Sequence, residues 1–165
     1  MLFRSDIQLR SELLYFDSLM AVLPKDHPLA PGPVDVRALA GERFVICARE
    51  SSQALFDKII ALCEEASFSP RIVNTSPAWS SVVMLVQAGE GIAILPNNLQ
   101  QKGTPDVAFC PLSSRTASIG LVMAWSPERE YAIQQAFLEL VRDHKERLKS
   151  TIVMPACKQE PRIRR

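Results

Sequence analysis

Two short stretches carry residue types suited to holding a small anion. "ARESSQAL" (Ala48–Leu55) and "NTSPAW" (Asn74–Trp79) each put hydroxyls where an apolar, strand-like run gives way to a helix-like one. The first N–H groups of a helix have no intrahelical partner, and the aligned peptide dipoles leave positive potential there. A carboxylate or phosphate is stabilised at such a place. Ser51, Ser52, Gln53, Thr75 and Ser76 are the candidate donors. The same hydroxyls also suit helix capping, in which a serine side chain accepts from an N–H of the first turn. The pattern leaves both roles open.

Other candidates for chemistry are weaker. Cys47 precedes the first of these helices, where a thiolate would be stabilised, but no histidine lies nearby in the chain and a buried strand cysteine is the simpler reading. His27 beside Asp26 has the form of a base and its orienter, yet no nucleophile accompanies them, and Pro24 and Pro28 bound the segment as a turn. "GEG" (Gly89–Gly91) lies at a helix end and lacks the Lys-Ser/Thr of a phosphate loop. Cys47, Cys63, Cys110 and Cys157 are scattered, and His27 and His144 are the two histidines. Zinc sites need tighter grouping, so no metal, no cofactor and no catalytic residue is expected, and the cysteines read as reduced thiols. Lys145, Arg147 and Lys149 form a solvated face near a helix end. These observations favour a binding module over an enzyme.

The elements that position these residues alternate. An extended run from Leu13 to Leu23 stops at Pro24, and a stiff connection follows with Pro28, Pro31, Gly32 and Pro33. "VDVRALAG" predicts a short helical turn with Asp35 as cap. "RFVICA" predicts a buried strand. In "SSQALFDKIIALCEEASF", Leu55, Ile59, Leu62, Cys63 and Ala66 recur at helical spacing, with Ser51 and Ser52 where an N-cap belongs. "PRIVNTS" is the next strand. "PAWSSVVMLVQAGEG" is the next helix, with Ser76 as cap, Pro77 at the first helical position and Gly89 closing it. "IAILP", "DVAFCPL" and "IGLVMAW" are further strands. Ile133, Phe137, Leu140, Val141, His144 and Leu148 mark one face of a final helix. Strand–helix alternation with short connections predicts a parallel sheet covered by helices, whose ligands bind beyond the carboxyl ends of the strands.

With 165 residues, 47% of them hydrophobic, the chain supports a real core. Its net charge of +1 gives no basic face for nucleic acid. No apolar run reaches a membrane span, and the charged start "MLFRSDIQLR" is unlike a signal peptide, so a cytoplasmic location is expected.

"LMAVLPKDHPLA", "VDVRALAGERFVICARE", "FDKIIALCEEASFSPRIV" and "VVMLVQAGEGIAILP" occur in an order and spacing that resembles the C-terminal effector-binding region of LysR-type transcriptional regulators, over about Asp6 to His144. The resemblance implies an α/β fold similar to type 2 periplasmic binding proteins. It implies one complete flavodoxin-like α/β subdomain at 24–112, a remnant of another at 1–23, the return strand and C-terminal helix of that other at 113–149, and a disordered tail at 150–165. Lys25, Asp26 and His27 would then mark the crossing between subdomains, without a chemical role.

The effectors implied are small organic anions, often carboxylates. The resemblance puts effector contacts on the turn matching Ser51, Ser52, Gln53, Ala54 and Leu55, with Ile119 as a cleft wall. The parent implied is a cytoplasmic homodimer or homotetramer that reaches DNA only through an N-terminal winged helix-turn-helix absent here, with no membrane role. An incomplete first subdomain would expose apolar surface on "LLYFDSLMAVL" and on the Ile133/Phe137/Leu140 face, favouring self-association. The alternatives are a solute-binding protein fragment of a transporter and a small α/β enzyme using Cys47 or Ser51.

Overall fold

The computed structural model describes residues 9–100, 106–127 and 131–145; the tail expected at 150–165 lies outside them. These residues form two compact units: Phe16–Leu121, and the described parts of Met1–Tyr15 with Val122–Arg165. The long first strand, β1 (Arg10–Pro24), contributes to both.

In the larger unit, β2 (Arg43–Cys47) leads into α1 (Gln53–Glu65), β3 (Arg71–Ser76), α2 (Trp79–Gln87) and β4 (Ala93–Pro96). β2 and β3 pair in parallel, and a parallel bridge from Phe44 to Ile92 joins β2 to the start of β4. The sheet is not wholly parallel as the alternation predicts. Leu19–Val22 of β1 pair antiparallel with β4, and Met20–Pro24 pair antiparallel with β5 (Val107–Pro111). The physical reason is burial. Leu19, Ala21, Val22 and Leu23 are at most 1% exposed, and a strand apolar on both faces needs both faces covered, which the interior of a covered sheet provides and its edge does less well. The segment expected to be a remnant of another subdomain is therefore central to this one. The division between units falls at Tyr15/Phe16 and again at Leu121/Val122, rather than at the proline-rich turn.

That turn is structural. The Lys25 N–H donates to Asp106 O at 3.0 Å. His27 Nδ1 accepts from the Leu29 N–H at 3.2 Å, and its Nε2 lies 3.3 Å from Glu42. "VRAL" (Val36–Leu39) is a 3₁₀ turn capped, as predicted, by Asp35, which accepts from the Arg37 N–H at 3.0 Å.

α1 buries Leu55, Ile59, Leu62 and Cys63, and α2 buries Val82 and Val86. Both helices end in a paired C-terminal motif. In α2, Gly89 takes a φ of 76°, its N–H donates to Val86 O, and Glu90 donates to Leu85 O. In α1, Ser67 takes the same role with a φ of 67°, donating to Glu64 O while Phe68 donates to Cys63 O. At Asp17, which is buried, Oδ2 accepts from the Asn98 N–H at 3.1 Å. Burial raises this carboxyl above its ordinary value.

The smaller unit carries α3 (Ala132–Asp143), of which Leu138 is buried while Ile133, Phe137 and Leu140 are exposed, as the sequence predicts; the other surface expected to be exposed, "LLYFDSLMAVL", is instead buried except at Leu13, Phe16 and Ser18, because most of it lies inside the larger unit's sheet. Polar groups fasten α3 to β1: Arg142 Nε donates to Glu12 at 2.8 Å and Lys145 Nζ to Leu13 O at 2.8 Å. The Arg142 guanidinium also lies 5.9 Å from the ring centre of Trp125, the last residue of β6 (Ser118–Trp125).

Candidate functional site

The parallel register sets Thr75 opposite Ile46 and Ser76 opposite Cys47. The Ala48 N–H donates to Ser76 O at 2.8 Å. Both strands thus end side by side, and α1 and α2 both start just beyond their carboxyl ends. This is the juxtaposition predicted for an anion site.

At the first turn, Ala48 O accepts from the N–H groups of Ser51 (3.0 Å) and Ser52 (3.2 Å). Those two backbone donors are engaged, contrary to expectation. The helical ladder begins with the Phe56 N–H donating to Ser52 O, so the N–H groups of Gln53, Ala54 and Leu55 precede it. Ser52 is the N-cap residue, but its side chain makes no capping bond. Leu55 is wholly buried, main chain included, unlike the exposed Gln53 and Ala54 beside it. Arg49 spans forward over this turn: its Nε donates to Asp57 Oδ1 at 2.9 Å and its Nη2 to Oδ2 at 3.2 Å. These bonds hold Asp57 below its ordinary pKa and raise Arg49 above its own.

The second turn departs from the sequence reading. α2 starts at Trp79 with Ala78 as its N-cap residue, two residues later than Ser76 and Pro77 suggest. Ser76 is buried, and its Oγ accepts a long bond, 3.4 Å, from the Ala78 N–H. The ladder begins with the Val82 N–H donating to Ala78 O. The N–H groups ahead of it belong to Trp79, Ser80 and Ser81, which the sequence reading missed. Thr75 is exposed at the end of β3. Ile119 is half-buried on β6, packed against the core, and no described geometry brings it to the two turns.

Burial pushes the Cys47 and Cys63 thiols up to about 11, which keeps them protonated at neutral pH. Among the described residues no group of three or more His, Cys, Asp or Glu could hold a metal ion. No described helix is long and apolar enough to cross a membrane. An open depression of about 280 Å³ lies at the other end of α1, lined by Asp35, Arg37, Glu65 and Ser114 among others. There Thr116 Oγ1 donates to Glu65 at 2.6 Å.

Residues 2–146 match the LysR substrate binding domain. The chain is 28% identical over 141 residues to the HTH-type transcriptional regulator CatR of Pseudomonas putida, covering 86% of this chain and 49% of that protein. It spans about half the length of the curated relatives it matches. Among solved structures, the C-terminal domain of a LysR family regulator from Rhodococcus sp. RHA1 is similar at 26% identity with a TM-score of 0.68, over 86% of this chain and 70% of that one. The BenM effector binding domain with its effector benzoate shares the fold at a TM-score of 0.72 and 19% identity, over 97% of this chain and 72% of that one. With its α/β architecture, the chain belongs to the LysR substrate-binding domain family, the effector-binding part of LysR-type transcriptional regulators.

Proposed function

We propose that this chain binds a small organic carboxylate at the paired starts of α1 and α2 and acts as the sensing part of a transcriptional regulator, without catalysis of its own. The observation that carries the reading is the Cys47↔Ser76 register with the hydroxyl of Ser52 left out of capping. In this reading the N–H groups of Gln53 and Ala54 face the carboxylate, with Leu55 anchoring the turn from the core side and the hydroxyls of Ser51, Ser52, Thr75 and Ser76 around it. Ile119 enters as a cleft wall through the family resemblance. Benzoate in the BenM domain supports the ligand class.

The proposal extends to the whole regulator. Phe16–Leu121 is one effector subdomain and the smaller unit is part of the other. DNA is reached through a separate N-terminal domain, and the regulator works in the cytoplasm as a homodimer or homotetramer. The exposed Ile133, Phe137 and Leu140 support self-association.

Ser52→Ala and Gln53→Ala test the site, with benzoate titration and thermal melting run side by side. A lost contact to a carboxylate costs about 1.5–3 kcal/mol, roughly ten- to a hundredfold in affinity. The expected result for Ser52→Ala is that loss with an unchanged melting temperature. A lowered melting temperature with affinity held within about twofold overturns the assignment.

A further inference from the structure

We propose that the Arg49–Asp57 ion pair is the positioning device of the β2–α1 turn, fixing in place the N–H groups of Gln53, Ala54 and Leu55. The inference deepens the carboxylate-site reading and rests on it for its consequence in binding. Most helices secure their first turn with a side-chain cap or with an acidic residue near the start. α1 has neither: Ser52 makes no cap bond and the first turn holds no acidic side chain.

What closes the turn is a different set of bonds. Ala48 O gathers the N–H groups of Ser51 and Ser52 at the back. Arg49, the next residue, reaches over the turn to Asp57, in the second turn of α1, through two parallel bonds of 2.9 and 3.2 Å. Bidentate guanidinium–carboxylate pairs fix orientation as well as distance. Asp57 thereby ties the residue before the turn to the body of the helix beyond it. One acidic side chain thus holds the start of the segment Arg49–Ser52 against the helix that follows it. Because the clamp replaces a cap, the Ser52 hydroxyl stays clear of the helix and the helix start keeps its geometry. Asp57 acts through the turn and does not itself touch the ligand.

The test compares the unaltered chain with Asp57→Ala, which removes the anchor, and Asp57→Glu, which keeps the charge on a longer stem. Amide hydrogen exchange is followed at residues 51–55, with the amides of β2 and β4 as the control for global opening. The pair is solvent-exposed, so the expected effect is modest: exchange at 51–55 about two- to fivefold faster in Asp57→Ala, unchanged in β2 and β4, and returned toward the original rate in Asp57→Glu. Benzoate affinity should fall and recover in step. Unchanged exchange at 51–55 in Asp57→Ala overturns the inference; where benzoate protects these amides in the unaltered chain, faster exchange with no loss of benzoate affinity overturns its consequence for binding. If benzoate protects none of the 51–55 amides in the unaltered chain, the carboxylate-site reading fails, and the exchange comparison still decides whether the pair holds the turn.

Discussion

In Phe16–Leu121 the apolar residues meet one another. Phe44, Leu39, Leu55, Ile59 and Ile94 are all fully buried in one cluster spanning the sheet and both its helices. In the smaller unit the described apolar residues mostly face outward: Ile133 is 80% exposed, Phe137 58% and Leu140 55%, with Leu138 the buried member of α3. Beside buried Leu14, Tyr15 and Leu138, a polar set of Glu12, Arg142 and Lys145, with Trp125 under the Arg142 guanidinium, fastens α3 there. The difference teaches where stability and site geometry reside. Hydrophobic burial stabilises by about 25 cal/mol per Å², whereas partly exposed ion pairs contribute about 0–1 kcal/mol. The larger unit has the means to hold two turns rigidly, and both candidate turns are built on it.

The sharpest way to break this contrast is to cut one phenylalanine from each unit. Phe44→Ala should destabilise by about 3–5 kcal/mol through lost burial and the cavity left behind. Phe137→Ala should change stability by about 0.5 kcal/mol or less. Chemical denaturation of both variants measures this, and comparable losses would show that the smaller unit is packed as tightly as the larger.

A pH series separates two carboxylates of the larger unit. The Asp17 pKa is raised by burial, so its contribution is fully present below the ordinary value of 3.8 and is lost as pH rises through the folded-state value. Asp57 is shifted the other way, and its contribution is present above that ordinary value and lost as pH falls through the folded one. Melting temperature should therefore decline from about pH 4 upward in an Asp17-dependent manner. Asp17→Asn should flatten that decline while retaining an acceptor for the Asn98 N–H.

Smaller again is the helix-end comparison. Ser67 holds a left-handed conformation that Gly89 holds without strain. Ser67→Gly should stabilise by about 1 kcal/mol, and a loss of stability in thermal melts would mean the serine side chain supports the turn. Ser52→Ala should be smallest, within about 0.5 kcal/mol, because no capping bond is present to lose.

The sequence made the regular parts of this molecule legible. Helical spacing located the buried stripe of α1, Gly89 marked the end of α2, and Asp35 its own cap. What it hid depends on contacts distant along the chain. "LMAVL" reads as buried, but that it lies antiparallel between β4 and β5 depends on partners about 70 to 90 residues away. Ser67 carries no glycine to announce a left-handed turn. Pro77 points to a helix start, but the chain bends there and is still extended at Ala78. At the site, the adjacency of the two turns follows from strand–helix alternation. The engagement of the Ser51 and Ser52 N–H groups, and the clamp of Arg49 on Asp57, are choices among equally polar neighbours that spacing does not distinguish.

The most direct measurement is an amide-resolved NMR titration of the chain with benzoate. Binding at the paired turns predicts saturable shifts concentrated at Ser51–Leu55, at Thr75 and Ser76, and at Trp79 at the start of α2. Shifts confined to the depression near Arg37, Glu65 and Ser114 at the far end of α1, or no saturable shift up to about 10 mM, weaker than the millimolar range that corresponds to roughly 4 kcal/mol of binding, would contradict it.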